Sequence, residues 1–204
     1  MQINNEAETE VVTKKLRMTQ QDWITHFNKK GEKMVSAADL YSLAKEDNKE
    51  LLKSIQKDFE YYVVTSTRIN YIKDSLDAEI IHDFGSTVAK PKATNVKIPI
   101  FEGDFEENSE TEMYLQALFD TQDSLQDIQK NLEVLSNNGK LRLWTPDQGM
   151  RNRRQERAVR LCFCGDGWFD VDGDDWFGGG GFSRGVKSLV PSAKQTAKKG
   201  RKPQ

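Results

Sequence analysis

Apolar residues recur at helical spacing three times near the N-terminus, and the pattern then switches to strict alternation. Trp23, Ile24 and Phe27 form the first stripe. Thr19 precedes it with Asp22 three positions on, a variant of the capping box, and Gly31 follows where a helix would stop. This predicts a helix over 19–30. Ser36 and Asp39 repeat the start signal ahead of Ala37, Leu40, Tyr41 and Ala44, predicting a second helix over 37–46. After Asp47 and Asn48, the stripe Leu51, Leu52, Ile55 and Phe59 predicts a third helix across a short turn. From Tyr61 the period becomes two: Val63, Thr65, Thr67, Ile69 and Tyr71 share one face, with Ser66, Arg68 and Asn70 on the other. A polar turn at Lys73–Asp77 and the alternation of Ile80, His82 and Phe84 complete a β-hairpin over 61–84.

The stretch 85–97 is polar, contains Pro91, lacks periodicity and reads as a linker. Beyond it, Val96–Phe101 reads as a short strand, followed by acidic residues from Glu102 to Glu112. Ser109 with Glu112 marks the start of a helix bearing Leu115, Leu118 and Phe119. The next helix carries Leu125, Ile128, Leu132 and Leu135 and ends at Asn137, Asn138 and Gly139. Lys140–Trp144 reads as a strand. After an arginine-rich loop, Ala158–Cys164 and Trp168–Val171 read as a hairpin across Gly165-Asp166-Gly167. The expected fold class is therefore α+β. A mobile arm at 1–18 leads into a three-helix plus hairpin unit at 19–84; the linker at 85–97 is followed by a small α+β unit at 98–177, and 178–204 form a Gly-rich segment and a disordered basic tail.

Three helices followed by a hairpin resemble the winged helix-turn-helix family over residues 19–84, on element order. The resemblance implies DNA contact by the third helix through Lys49, Lys53 and Lys57, with Arg68 on the wing. Glu50 and Asp58 balance these lysines, and the helix carries no arginine.

Charge changes the picture most near the C-terminus. The chain has 204 residues and a formal net charge of −2, but residues 142–204 hold 13 basic and 7 acidic residues, against 17 and 25 in residues 1–141. Arg151, Arg153, Arg154, Arg157 and Arg160 fall within ten positions with Glu156 alone against them. Together with Arg142 they are the residue type that grips phosphate bidentately and releases counterions, and Trp144 beside them is suited to stacking on a base. The competing reading is a solvated loop whose charge is met by the chain's own acids, Glu102–Glu112 or Asp166–Asp175. The tail from Arg184 to Gln204 has seven basic residues and no acid, and adds phosphate affinity without sequence preference.

Other chemistry is poorly supported. Asp170, Asp172 and Asp174 stand at positions 1, 3 and 5 of a calcium loop, but Asp175 occupies the sixth, glycine position and Gly181 the twelfth, so a polar turn leaving a strand fits better. Cys162 and Cys164 are too far from His26 and His82, and wrongly spaced, for a zinc site. No nucleophile motif accompanies either histidine, so no catalytic residue and no cofactor is expected. No apolar run approaches the roughly 18 residues that span a bilayer, and the two cysteines fit a reduced compartment; a cytoplasmic protein without a membrane partner is expected. The leading functional expectation is a non-enzymatic nucleic-acid-binding protein, DNA or RNA, with backbone-led, salt-sensitive binding. The alternatives are an assembly or adaptor protein that pairs complementary acidic and basic surfaces with a protein partner or another copy, and an enzyme acting on a phosphorylated substrate.

Overall fold

The computed structural model describes residues 18–46, 49–57, 59, 62–99, 103–104, 108–145, 155–163, 167–175 and 183–185. Five helices lie among them. α1 (Gln20–Lys29) and α2 (Ala37–Lys45) each begin in a reciprocal capping box. In α1 the Thr19 hydroxyl oxygen accepts from the Asp22 backbone N–H at 3.1 Å, and the Asp22 carboxylate accepts from the Thr19 N–H at 2.9 Å. Gly31, with φ of +67°, ends that helix in the left-handed conformation glycine tolerates. α3 (Lys49–Gln56) follows, then α4 (Ser109–Phe119) and α5 (Leu125–Leu135). Sequence placed the cap of α4 at Ser109, whereas Asn108 fills the position, its side-chain oxygen accepting from the Thr111 N–H at 2.8 Å. Asn137 and Asn138 leave α5 with φ of 55° and 65°, as the sequence indicated for this stop.

The strands are β1 (Tyr62–Tyr71), β2 (Asp77–His82), β3 (Lys92–Lys97), β4 (Gly103–Asp104), β5 (Lys140–Trp144), β6 (Gln155–Phe163), β7 (Trp168–Asp175) and β8 (Ser183–Gly185). They form one sheet in the order β3-β2-β1-β6-β7-β5-β4, with β8 parallel to the first residues of β1. β5 and β7 also pair in parallel, and the remaining pairs are antiparallel. A register shift between Val64 and Arg68 bends β1 where it passes β6. The mixed α+β class expected from sequence is what the chain adopts.

Two expectations change. The segment read as linker contains β3, whose six residues all pair with β2, and the strand expected at 96–101 lies at 92–97 instead. Its alternation is faint because it is an edge strand with only Thr94 and Val96 half-buried. The two expected units also share one sheet, through the β1–β6 pairing, and one core. The three N-terminal helices do not make the packed trihelical unit of a winged helix. α2 lies against α4 and α5, with Leu40, Tyr41 and Ala44 in the same core as Leu118, Ile128 and Leu132. α1 sits on the opposite face of the sheet, where Trp23, Ile24 and Phe27 meet Val64 and Ala158. A hydrophobic stripe reports that a helix is half-buried but not which face of which sheet buries it.

Helices α2 to α5 therefore cover one sheet face. Val63, Ile69, Ile80, Leu143, Leu161, Phe169 and Val171 point into that layer, each burial stabilising by about 1.5–3 kcal/mol. Phe169 is its aromatic centre, edge-on to Phe59 at 5.0 Å and tilted against Phe163 at 5.3 Å. α1 covers the other face over β1 and β6. Further across that face, toward β5, the side chains become charged and aromatic.

Candidate functional site

The alternation of β5 and β7 builds this surface. Register sets Lys140 opposite Trp168, Arg142 opposite Asp170 and Trp144 opposite Asp172, while β6 sets Arg160 opposite Asp172 from the other side. Arg142 donates from Nε to Asp170 Oδ1 at 2.7 Å and from Nη2 to Oδ2 at 3.0 Å, a bidentate pair. Arg160 donates from Nε to Asp172 Oδ2 at 2.8 Å. The Arg142 guanidinium also lies 5.0 Å from the centre of the Trp144 ring and 5.6 Å from that of Trp168, and Lys140 Nζ is 5.5 Å from the Trp168 ring. Arg160 stands 4.2 Å from the Tyr62 ring centre. These distances suit cation–π attraction. The result is a ladder of alternating rings and cations, keyed to the sheet by two aspartates. At one end Trp144 is 43% exposed.

Of the residues singled out in sequence, Arg142, Trp144 and Arg160 are thus brought together. Arg157 is not. It lies three positions from Arg160 on the same strand and so faces the helical core, 2% exposed, donating from Nη1 to the Glu156 carbonyl at 3.2 Å and from Nη2 to Gln155 Oε1. Arg68 is buried under α1: its Nε donates to Gln20 Oε1 at 3.0 Å, its Nη1 to Glu156 Oε2 at 3.3 Å, and its guanidinium lies 3.6 Å from the Phe84 ring centre. Burial pulls its pKa down from the usual arginine value, with Glu156 acting against that shift. Lys53 is exposed on α3 and Lys57 just past its end, and the helix's apolar residues Leu52 and Ile55 pack on the helical side of the sheet, away from Trp144. Lys49 opens α3. Arg151, Arg153, Arg154, Cys164 and the tail lysines lie outside the described residues.

The polar-turn reading of Asp170, Asp172 and Asp174 is corrected by the same geometry. All three belong to β7 rather than to a loop, and Asp170 and Asp172 each hold a guanidinium. Among the described residues, no three potential ligands converge for a metal ion. Sequence reasoning missed Lys140, Trp168 and Tyr62 as members of the surface. Their signal was the two-residue alternation of rings and charges in β5 and β7, which acquires meaning only when the strands are known to be neighbours.

Both histidines pack against neighbouring groups of the fold. His26 sits edge-on to Trp23 and Phe27 at 5.8 and 5.4 Å. His82 is buried between β2 and α4. Its Nε2 lies 3.1 Å from the Ala117 carbonyl oxygen, which can only accept, so Nε2 carries the proton. Nδ1 then accepts from the Thr67 hydroxyl at 3.0 Å, whose oxygen in turn accepts from the Ala37 N–H at 2.9 Å. Burial lowers the His82 pKa, partly offset by the Ala117 carbonyl and the carboxylates of Asp120, Asp83 and Asp39. No helix of the described residues is long and apolar enough to cross a membrane. Comparison with protein-family models, curated proteins and solved structures gives no match, so the functional reading rests on these residues alone.

Proposed function

We propose that this chain is a non-enzymatic nucleic-acid-binding protein whose contact surface is the sheet face of β5, β6 and β7. The observation that supports this reading is Trp144, an exposed indole on a sheet face, backed by the Arg142 guanidinium and accompanied by exposed Lys140. Aromatic side chains on open sheet faces give bases a stacking partner, and neighbouring cations hold the backbone. The backbone-led part of the binding falls to Arg151, Arg153, Arg154 and the basic tail, since Arg142 and Arg160 already bind Asp170 and Asp172. Fluorescence anisotropy of the full chain with labelled single-stranded DNA, duplex DNA and RNA, at about 50 and 200 mM salt, tests the proposal. Micromolar binding that weakens with salt is expected. Flat traces for all three at the lower salt refute it.

A further inference from the structure

Charge and exposure on this face discriminate between kinds of nucleic acid, and we infer that its ligand is a single strand whose unpaired bases stack on Trp144. The inference rests on the nucleic-acid reading above and sharpens it to one ligand class.

The charges of the face whose side chains are described are Lys140, Arg142 and Arg160 against Asp170 and Asp172, with Glu156 of β6 met by Arg68 of β1, a net of one positive charge. That is little to offer a duplex, which presents two phosphate strands and hides the faces of its bases. Arg142 already spends Nε and Nη2 on Asp170, at 2.7 and 3.0 Å, and Arg160 spends Nε on Asp172 at 2.8 Å, so much of the charge either could offer a phosphate is met within the sheet. Asp170 and Asp172 meanwhile repel a phosphate that comes close. What the face does offer is one exposed ring. Trp144 is the exposed end of a stack in which the Arg142 guanidinium, fixed in plane by Asp170, lies between it and Trp168. Holding the plate behind the indole reduces the side-chain freedom lost when a base settles on it. Lys140, exposed on the same β-strand as Trp144 and beside Trp168, supplies a cation with no carboxylate partner among the described residues for the backbone of the bound nucleic acid.

The test uses the full chain, as wild type and with Trp144→Ala, Trp144→Leu and Trp144→Phe. Probes are labelled oligo(dT) of about 16 nucleotides, the same strand annealed to oligo(dA), and oligo(U). A stacked base is expected to make Trp144→Ala lose about tenfold in affinity for the single strands and less than about twofold for the duplex. Trp144→Leu, which keeps apolar cover but not the ring, should lose as much, and Trp144→Phe should recover most of it. Because stacking is not ionic, the ratio of variant to wild-type affinity stays constant between about 50 and 200 mM salt. A melting temperature matching wild type for any one of the three variants makes that variant a valid comparison. Equal binding of strand and duplex, with Trp144→Leu indistinguishable from wild type, overturns the stacking inference and leaves phosphate-led nucleic-acid binding standing. Absence of binding to every probe overturns both. The oligo(dT) and oligo(U) arms separate DNA from RNA as the source of the unpaired bases.

Discussion

Replacing Asp170 by asparagine tests whether the ladder of β5, β6 and β7 is a rigid part of the fold or a surface decoration. The substitution keeps the shape of the side chain but removes one acceptor and sets an NH2 group against the Arg142 fork. An exposed ion pair contributes about 0.2–1 kcal/mol, whereas removing one member of a buried pair costs about 3–5 kcal/mol. The Arg142–Asp170 pair lies between these limits, since the carboxylate side chain is 5% exposed and the guanidinium 19%. We therefore expect Asp170→Asn to cost about 2 kcal/mol, which for a chain of this size lowers the melting temperature by about 4–8 °C. Arg142→Met should cost at least as much, because it strands the more deeply buried carboxylate. The double variant should cost less than the two singles together, by about 1–2 kcal/mol, since neither charge is then left without its partner. Circular dichroism of thermal and urea unfolding across the four proteins provides the measurement. A loss below about 0.5 kcal/mol for Asp170→Asn, or strict additivity in the cycle, would refute the reasoning and class the pair with ordinary surface charges. The same variant frees the Arg142 charge, so its single-strand binding should steepen in salt dependence by about 0.7 in the log–log slope.

Two further predictions concern the core. An added Cβ at Gly173 would stand 2.7 Å from Tyr114 Oη and 2.9 Å from Ile69 Cδ1, so Gly173→Ala should lower the urea midpoint, at a cost of about 1–3 kcal/mol; an unchanged midpoint would show that the contact relaxes freely. His82 should make the fold acid-sensitive. Its folded pKa lies below the ordinary 6.5, so the unfolded chain takes up the proton first on acidification, and stability is complete above about 6.5 and falls as pH drops toward the folded value. Melting temperatures measured across that window should fall more steeply for wild type than for His82→Gln, and parallel curves would rule out this histidine as the cause.

The site was only partly legible in sequence, for a reason particular residues make plain. Arg142, Trp144 and Arg160 were recognisable from their type. Arg157 looked equivalent to Arg160, but β6 begins at Gln155, so the strand's two-residue period turns one arginine inward and the other outward. Asp170 and Asp172 looked like metal ligands or a turn because their partners, Arg142 and Arg160, stand 28 and 12 residues away. Neither distance carries a local signal. Trp168 and Lys140 meet only because β5 and β7 pair in parallel, across a connection that includes the whole of β6.

Local chemistry determined the elements. The Thr19–Asp22 and Ser36–Asp39 caps, the stripes of α1 to α5, the glycine after α1 and the asparagines after α5, and the alternation of β1 and β2 can all be read from neighbours a few residues apart, because helix and strand periods are properties of short segments. Tertiary structure alone decided how they join: α1 on one face and α2 on the other, β1 beside β6, and both halves of the chain in one sheet. Those choices depend on which apolar faces bury most surface together, a sum over distant residues that no window of sequence contains. The same sum settled the direction of Arg142, Arg160 and Arg157, by bringing the first two within reach of an aspartate each and leaving the third in the core.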